Sequence, residues 1–279
     1  MVDAARKYQR VFQTGSMQRS WDQFRHGVEL IRNGYIGEIK EIKVAIGAPY
    51  KSCDLPTQAA PANIDWNAWI GPAPYRGYHE DLACPIGDKR WGMWRDYYPF
   101  GGGMVTDWGA HMFDIVQWAL DQDHTGPVQF TPPSSPSESG LVYTYENGIK
   151  VTHTKWGKNN NEIQFIGTKG RLEISRGYLK TYPDASLADK PIETPNAKRV
   201  YHSKNHHEDW LQAIRDRTRP ICDVEIGHRT ASVCNVANIA YALRRPLEWN
   251  PVREQFVDDP GANLMLDRAY RAPYNYRDF

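Results

Sequence analysis

The run Gly140-Leu141-Val142-Tyr143-Thr144-Tyr145-Glu146-Asn147-Gly148-Ile149-Lys150-Val151-Thr152-His153 reads as two strands and the turn that joins them. Tyr, Val, Ile and Thr dominate both halves, and these side chains suit a pleated surface. Asn147-Gly148 lies between them, and Asn-Gly favours positive φ at both central positions of a hairpin turn. Strands are expected over 140–146 and 149–157, and then over 127–131, 160–167, 170–175 and 178–182. Gly167-Thr168-Lys169-Gly170 supplies a second tight turn. Helical periodicity appears on either side of this run: over 103–121 before it, and over 204–217, 226–244 and 259–266 after it. Strands grouped together and helices grouped after them indicate an α+β fold, an open, mainly antiparallel sheet with helices on one face.

Upstream, residues 2–8 read as the tail of a helix and Arg10 to Gly15 as a short strand. Ser20 is placed to cap a helix running to Asn33, with Gly34 as its stop. Phe24, Val28 and Ile31 keep the helical period, and alternation around Ile39, Ile42, Val44 and Ile46 predicts a strand over 38–48. Residues 49–100 have a different texture, crowded with Pro, Gly, Trp and Tyr. A short helix is expected at 65–70, and the rest is a long aromatic-rich loop packed over a site, since loops of this length are usually functional or disordered. Residues 183–198 form a polar linker. Residues 1–35 thus read as a lead-in of helix, strand and helix, and 36–279 as the α+β domain.

Composition narrows the function. The 279 residues are 41% apolar and 24% charged, ordinary for a globular protein. A formal net charge of +1 gives no electrostatic footprint for nucleic acid or an anionic membrane. No apolar run approaches the ~20 residues of a membrane span. The first residues, Met1-Val2-Asp3-Ala4-Ala5-Arg6, lack the apolar segment of a secretory signal, so a cytoplasmic location is expected of the chain as written. Cys53, Cys84, Cys222 and Cys234 lack the paired spacing of zinc or redox sites. Neighbours such as His206 and His207 diverge by ~100° on a helix and cannot face one ion, and no metal site is expected. The 10 Trp, 16 Tyr and 8 Phe serve packing, with a sugar-stacking platform as the sharper reading.

The chemistry gathers in Gly101-Gly102-Gly103-Met104-Val105-Thr106-Asp107-Trp108-Gly109-Ala110-His111-Met112-Phe113-Asp114. Asp107, His111 and Asp114 fall at i, i+4 and i+7 and share a helix face. A carboxylate and an imidazole one turn apart make a candidate proton-transfer pair, with Asp107 orienting His111 or raising its pKa. The glycine run permits either close backbone approach or simply a flexible start to the helix. Trp91, Trp94, Arg95 and Tyr97, in the loop just before it, are candidate sugar contacts.

The chain resembles the C-terminal region of the Gfo/Idh/MocA oxidoreductases, the glucose–fructose oxidoreductase and inositol dehydrogenase group. The resemblance rests on Val11-Phe12-Gln13-Thr14-Gly15-Ser16 with Gln18-Arg19-Ser20, on the Gly101-to-Asp114 stretch, on Phe165-Ile166-Gly167-Thr168-Lys169-Gly170, and on His207 before Arg219-Pro220-Ile221. It implies catalysis by an Asp and a His four residues apart, here Asp107 and His111, with the turn that carries Arg19 near the substrate cleft; Arg19 is then a substrate contact or a surface cation, and Asp114, one turn further in, a substrate contact or a structural carboxylate. It also implies a Rossmann domain for NAD or NADP and a lysine from a Glu-Lys-Pro motif. Neither is visible here: no Gly-x-Gly-x-x-Gly lies in a strand-to-helix context. Residues 1–35 then correspond to the end of that nucleotide domain.

The expectation is therefore a sugar-acting enzyme that binds no NAD on its own and takes NAD or NADP only if a nucleotide domain is supplied. A carbohydrate or polyol is the substrate, and a homo-oligomer forms through the open sheet face; a large apolar area there would need a partner. Two alternatives stand beside it. One is a nicotinamide-independent glycoside hydrolase or keto-sugar lyase using Asp107 and His111. The other is a non-catalytic sugar-binding or oligomerisation module.

Overall fold

The structure, a computed structural model, describes residues 1–275. The helices are α1 (Val2–Lys7), α2 (Asp22–Arg32), α3 (Trp66–Ile70), α4 (Met104–Asp107), α5 (Gly109–Ala119), α6 (His206–Asp216), α7 (Val224–Leu243) and α8 (Pro260–Asn263). The strands are β1 (Ile39–Ala45), β2 (Gln129–Thr131), β3 (Val142–Thr144), β4 (Lys150–His153), β5 (Glu162–Gly167), β6 (Arg171–Ser175), β7 (Tyr178–Tyr182), β8 (Leu247–Asn250) and β9 (Gln255–Phe256). They form one open sheet in the order β7-β6-β5-β1-β4-β3-β2-β8-β9. Neighbours run antiparallel except β1 and β4, which are parallel.

Alternation along the strands sends one set of side chains to each face. Ile42 pairs with Phe165 and Val151, and Phe165 with Leu172, so these branched and aromatic groups line up across strands on the covered face. The helices lie there, with α2 over β6 and β7, α7 over β2, and α5 between α2 and α7. Phe24, Ile42, Phe113, Phe130, Tyr143, Phe165 and Ala237 belong to one buried cluster. The opposite face carries Lys180, Glu173, Gln164, Lys43 and Thr152 in register. These positions are polar, so their own chemistry does not demand a partner.

The long loop has a core of its own. Trp66, Ile70, Tyr78, Leu82 and Tyr97 form a second buried cluster. Asp65 caps α3 by accepting from the Ala68 amide at 2.9 Å, and Trp66 stacks on Trp69 with centroids 4.8 Å apart. This excursion is an ordered wall.

Several elements differ from expectation, each for a local reason. Residues 10–15 form no strand; Gln13 makes only an isolated bridge to Asp223. Ser20 ends a short 3-10 turn and bonds Ser203 at 2.8 Å, while Trp21 takes the N-cap position of α2 without a side-chain cap. The helix over 103–121 is recorded as α4 and α5, joined by Trp108, whose φ −73°, ψ −27° keep the rod running. In the first hairpin only Gly148 has positive φ (+83°). The Gly148 amide bonds the Tyr145 carbonyl and the Tyr145 amide bonds the Ile149 carbonyl, giving a three-residue loop in place of the two-residue one. β8 and β9 were not anticipated.

Candidate functional site

Gly103 positions the start of α4. Its φ is +67°, and an added Cβ would lie 2.3 Å from the Tyr50 nitrogen. Its amide bonds the Arg95 carbonyl at 2.9 Å, and the Met104 amide bonds the Ala48 carbonyl at 2.9 Å. Of the two readings of the glycine run, close approach is the one realised. The run locks the end of the aromatic loop and the chain after β1 against the start of the helix.

That lock delivers Arg95 to Asp107. Arg95 Nη1 donates to both carboxylate oxygens of Asp107, at 3.1 and 3.2 Å, while its Nε donates to the Gly92 carbonyl at 3.0 Å. Two residues chosen as separate candidates from sequence are therefore one ion pair. Asp107 is held in place and its charge is balanced.

His111 lies one turn on and is partly buried. Its ring is 5.7 Å from that of Trp108. Nδ1 is buried and has no hydrogen-bond partner among the described residues. The imidazole pKa is lowered, first by burial and then by the Arg176 charge, with Asp107 opposing. At neutral pH the ring is therefore uncharged and able to accept a proton.

Arg176, between β6 and β7, comes to the same place and had no sequence signal, since a charged residue before glycine looks like an ordinary turn. Its guanidinium lies 4.4 Å from the Trp108 ring centre and 5.5 Å from that of Trp21. Its Nε donates to Gln18 Oε1 at 3.0 Å. Gln18 is fully buried and reaches Met112 Sδ at 3.9 Å. A hollow of about 580 Å³ adjoins Arg176, and its ionisable lining includes Asp22, Arg25, His26, Asp189 and Lys190.

Arg19 and Asp114 do not face this site. Their side chains are each 1% exposed. Arg19 Nε and Nη2 donate to Asp114 at 2.8 Å each, and Thr230 donates to the same carboxylate at 3.0 Å. Asp123 takes two further Arg19 bonds at 2.8 Å. The arginine stays protonated, because these carboxylates outweigh the burial that would lower its pKa. Both side chains spend their polar atoms on each other and on Asp123 and Thr230, which fits a structural role.

The aromatic candidates separate as well. Tyr97 belongs to the loop's own core. Trp91 is 55% exposed. Trp94 lines a hollow of about 520 Å³ with Trp69, Phe100 and Arg268. A second hollow, about 610 Å³, takes in Thr106, Ala110, Ser232 and Asn238. Thr106 and Ala110 each precede a site residue by one position, so this hollow opens on another flank of the rod.

Residues 49–276 match the model described as the C-terminal alpha/beta domain of an oxidoreductase family. The chain belongs to the Gfo/Idh/MocA oxidoreductases. No curated protein matches its sequence. Solved structures with a similar fold include an oxidoreductase domain protein from Kribbella flavida, 16% identical with a TM-score of 0.53 over 88% of this chain and 68% of that one. The WlbA dehydrogenase from Bordetella pertussis, in complex with NADH and UDP-GlcNAcA, is 13% identical with a TM-score of 0.53, over 89% of this chain and 67% of that one. A levoglucosan dehydrogenase, in complex with NADH and L-sorbose, is 13% identical with a TM-score of 0.51, over 91% and 70%. At these identities the likeness is one of fold. The Gfo/Idh/MocA chain described here spans about two thirds of the length of these proteins.

Such a family implies a nicotinamide cofactor. A dinucleotide cradle needs a parallel βαβ unit with a glycine-rich turn opening onto a helix N-terminus. The glycine run before α4 is instead filled by the Pro49 and Tyr50 backbone. Among the described residues, no group of three His, Cys, Asp or Glu could hold a metal ion, and no helix is long and apolar enough to cross a membrane.

Proposed function

We propose that this chain forms the sugar-binding wall of a sugar or polyol oxidoreductase and supplies the base that handles the substrate's hydroxyl proton. The observation that carries the reading is the unpartnered, buried Nδ1 of His111 in a neutral imidazole, one turn from a carboxylate that Arg95 holds fixed. Buried polar atoms are almost always paired, and an unpaired one at a helix face calls for a reason. His111 can accept the proton of a bound sugar hydroxyl, leaving an alkoxide and an imidazolium that the nearby Asp107 carboxylate stabilises.

The hydride acceptor lies outside this proposal. Association of two copies through the open sheet face is likewise proposed, through its polar side chains rather than apolar burial; light scattering that finds a monomer removes it.

The test follows the His111 ring by NMR during titration with neutral sugars and polyols. Binding shifts the ring resonances, and His111→Ala weakens binding about tenfold, the loss of one good hydrogen bond. If no sugar at millimolar concentration moves the ring, the reading fails. Tight binding of NAD alone would show that a nucleotide cradle exists after all.

A further inference from the structure

We infer that the ligand of this site is a sugar bearing an oxyanion, a carboxylate or a phosphate ester, held by the guanidinium of Arg176. The inference rests on the site reading above and deepens it by naming the substrate class.

No carboxylate among the described residues is bonded to the Arg176 guanidinium. Asp107, the carboxylate of the site, is engaged by both oxygens to Arg95. His111 is neutral at physiological pH. Asp22, at the adjoining hollow, pairs with Arg25 at 3.5 Å. Arg176 itself makes no ion pair among the described residues. Burial lowers the Arg176 pKa and the Asp107 charge opposes that, so the guanidinium has a carboxylate nearby but none bonded to it, at a half-buried position where solvent screens it less than at an open surface.

The arginine is also held in place for binding. The indoles of Trp21 and Trp108 lie against the guanidinium, and Gln18, itself buried, takes the Nε proton. No carbonyl or carboxylate among the described residues takes Nη1 or Nη2. These two nitrogens form the fork that matches the two oxygens of a carboxylate or phosphate. A neutral hydroxyl cannot accept two parallel bonds from that fork. Both Arg176 and His111 flank the Trp108 indole, so one ligand with an acidic group at one end and a free hydroxyl nearby can engage both. The hollow that adjoins Arg176 is lined by Asp22, His26 and Lys190 and not by His111 or Trp108, so it offers room for a part of the ligand beyond the acidic group.

The test measures calorimetric binding of the 279-residue protein to D-glucuronate, glucose 6-phosphate and D-glucose, at low and high salt. Wild type is compared with Arg176→Gln and Arg176→Lys. At least one of the two acids should bind about tenfold or more tighter than glucose at low salt, with the margin narrowing at high salt. Arg176→Gln should remove that margin, and Arg176→Lys should restore part of it. Which acid binds better tells a carboxylate site from a phosphate site.

Equal binding of acids and glucose, a margin that survives Arg176→Gln, or no acid binding at millimolar concentration overturns the inference. A neutral sugar that still shifts the His111 ring in those cases leaves the proposed function standing. Acid binding intact with no His111 shift sinks the catalytic reading alone. A matching thermal melt for Arg176→Gln confirms that the comparison is between folded proteins.

Discussion

Replacing Asp114 by Leu should cost stability rather than ligand affinity. The carboxylate accepts two 2.8 Å bonds from Arg19 and a 3.0 Å bond from Thr230 in a place where both charged side chains are 1% exposed. Removing one partner of a buried pair leaves an uncompensated charge and costs about 3–5 kcal/mol. Asp123, whose side chain is 18% exposed, stays bonded to Arg19, which puts the loss near the lower end, about 3 kcal/mol. With a urea slope of about 3 kcal/mol per molar, the unfolding midpoint falls by about 1 M. Urea titration followed by tryptophan fluorescence measures it. The double variant Arg19→Met with Asp114→Leu should regain part of the loss, since neither charge is then left without its partner. A midpoint moved by less than about 0.3 M (about 1 kcal/mol), or sugar affinity lost at unchanged stability, would refute the burial argument and return Asp114 to the ligand site.

Two further outcomes follow from the packing. Gly103→Ala meets both a φ of +67° and a Cβ 2.3 Å from the Tyr50 nitrogen, and should lower stability by about 3 kcal/mol, seen as a drop in Tm. His153 accepts the Tyr241 hydroxyl at 2.7 Å, and burial brings its pKa down to about 4. The folded state therefore binds this proton less readily than the unfolded chain, whose histidine titrates near 6.5. Stability attached to the neutral ring is intact above pH ~6.5 and is lost as pH falls toward 4, by about 3 kcal/mol in all. In urea midpoints measured from pH 7 to 4, His153→Gln should show a shallower decline than wild type, and an identical slope would count against it.

What sequence could reveal here depended on range. The hairpin at Asn147-Gly148, the helical period over 103–121 and the short helix at 65–70 are local patterns, and the fold class followed from the grouping of such elements. The pairing of Asp107 with His111 is local too, four residues on one helix. Residues 10–15 looked like a strand because their composition allows it, but a strand exists only with a partner, and Gln13 finds one bridge. Leu247–Asn250 was missed because four residues after a long helix carry too little pattern. Arg19 and Asp114 meet across 95 positions, and no local signal says that each neutralises the other. Arg176 reaches the site only because the sheet brings its turn beside α5, a tertiary fact.

The lone parallel pairing has a consequence for how the chain assembles. β4 and β5 are consecutive in sequence and antiparallel in direction, yet β1 lies between them. Left to themselves, those two neighbours could zip together directly and shut the slot that Ile39–Ala45 must fill. The early segment has to be seated before that closure or displace it afterwards, so folding is a race between a short-range mispairing and a long-range insertion. Refolding at a late-exposed slot should respond to a synthetic peptide of residues 39–45 added in excess, which would compete for the same edge bonds and slow recovery of the native state.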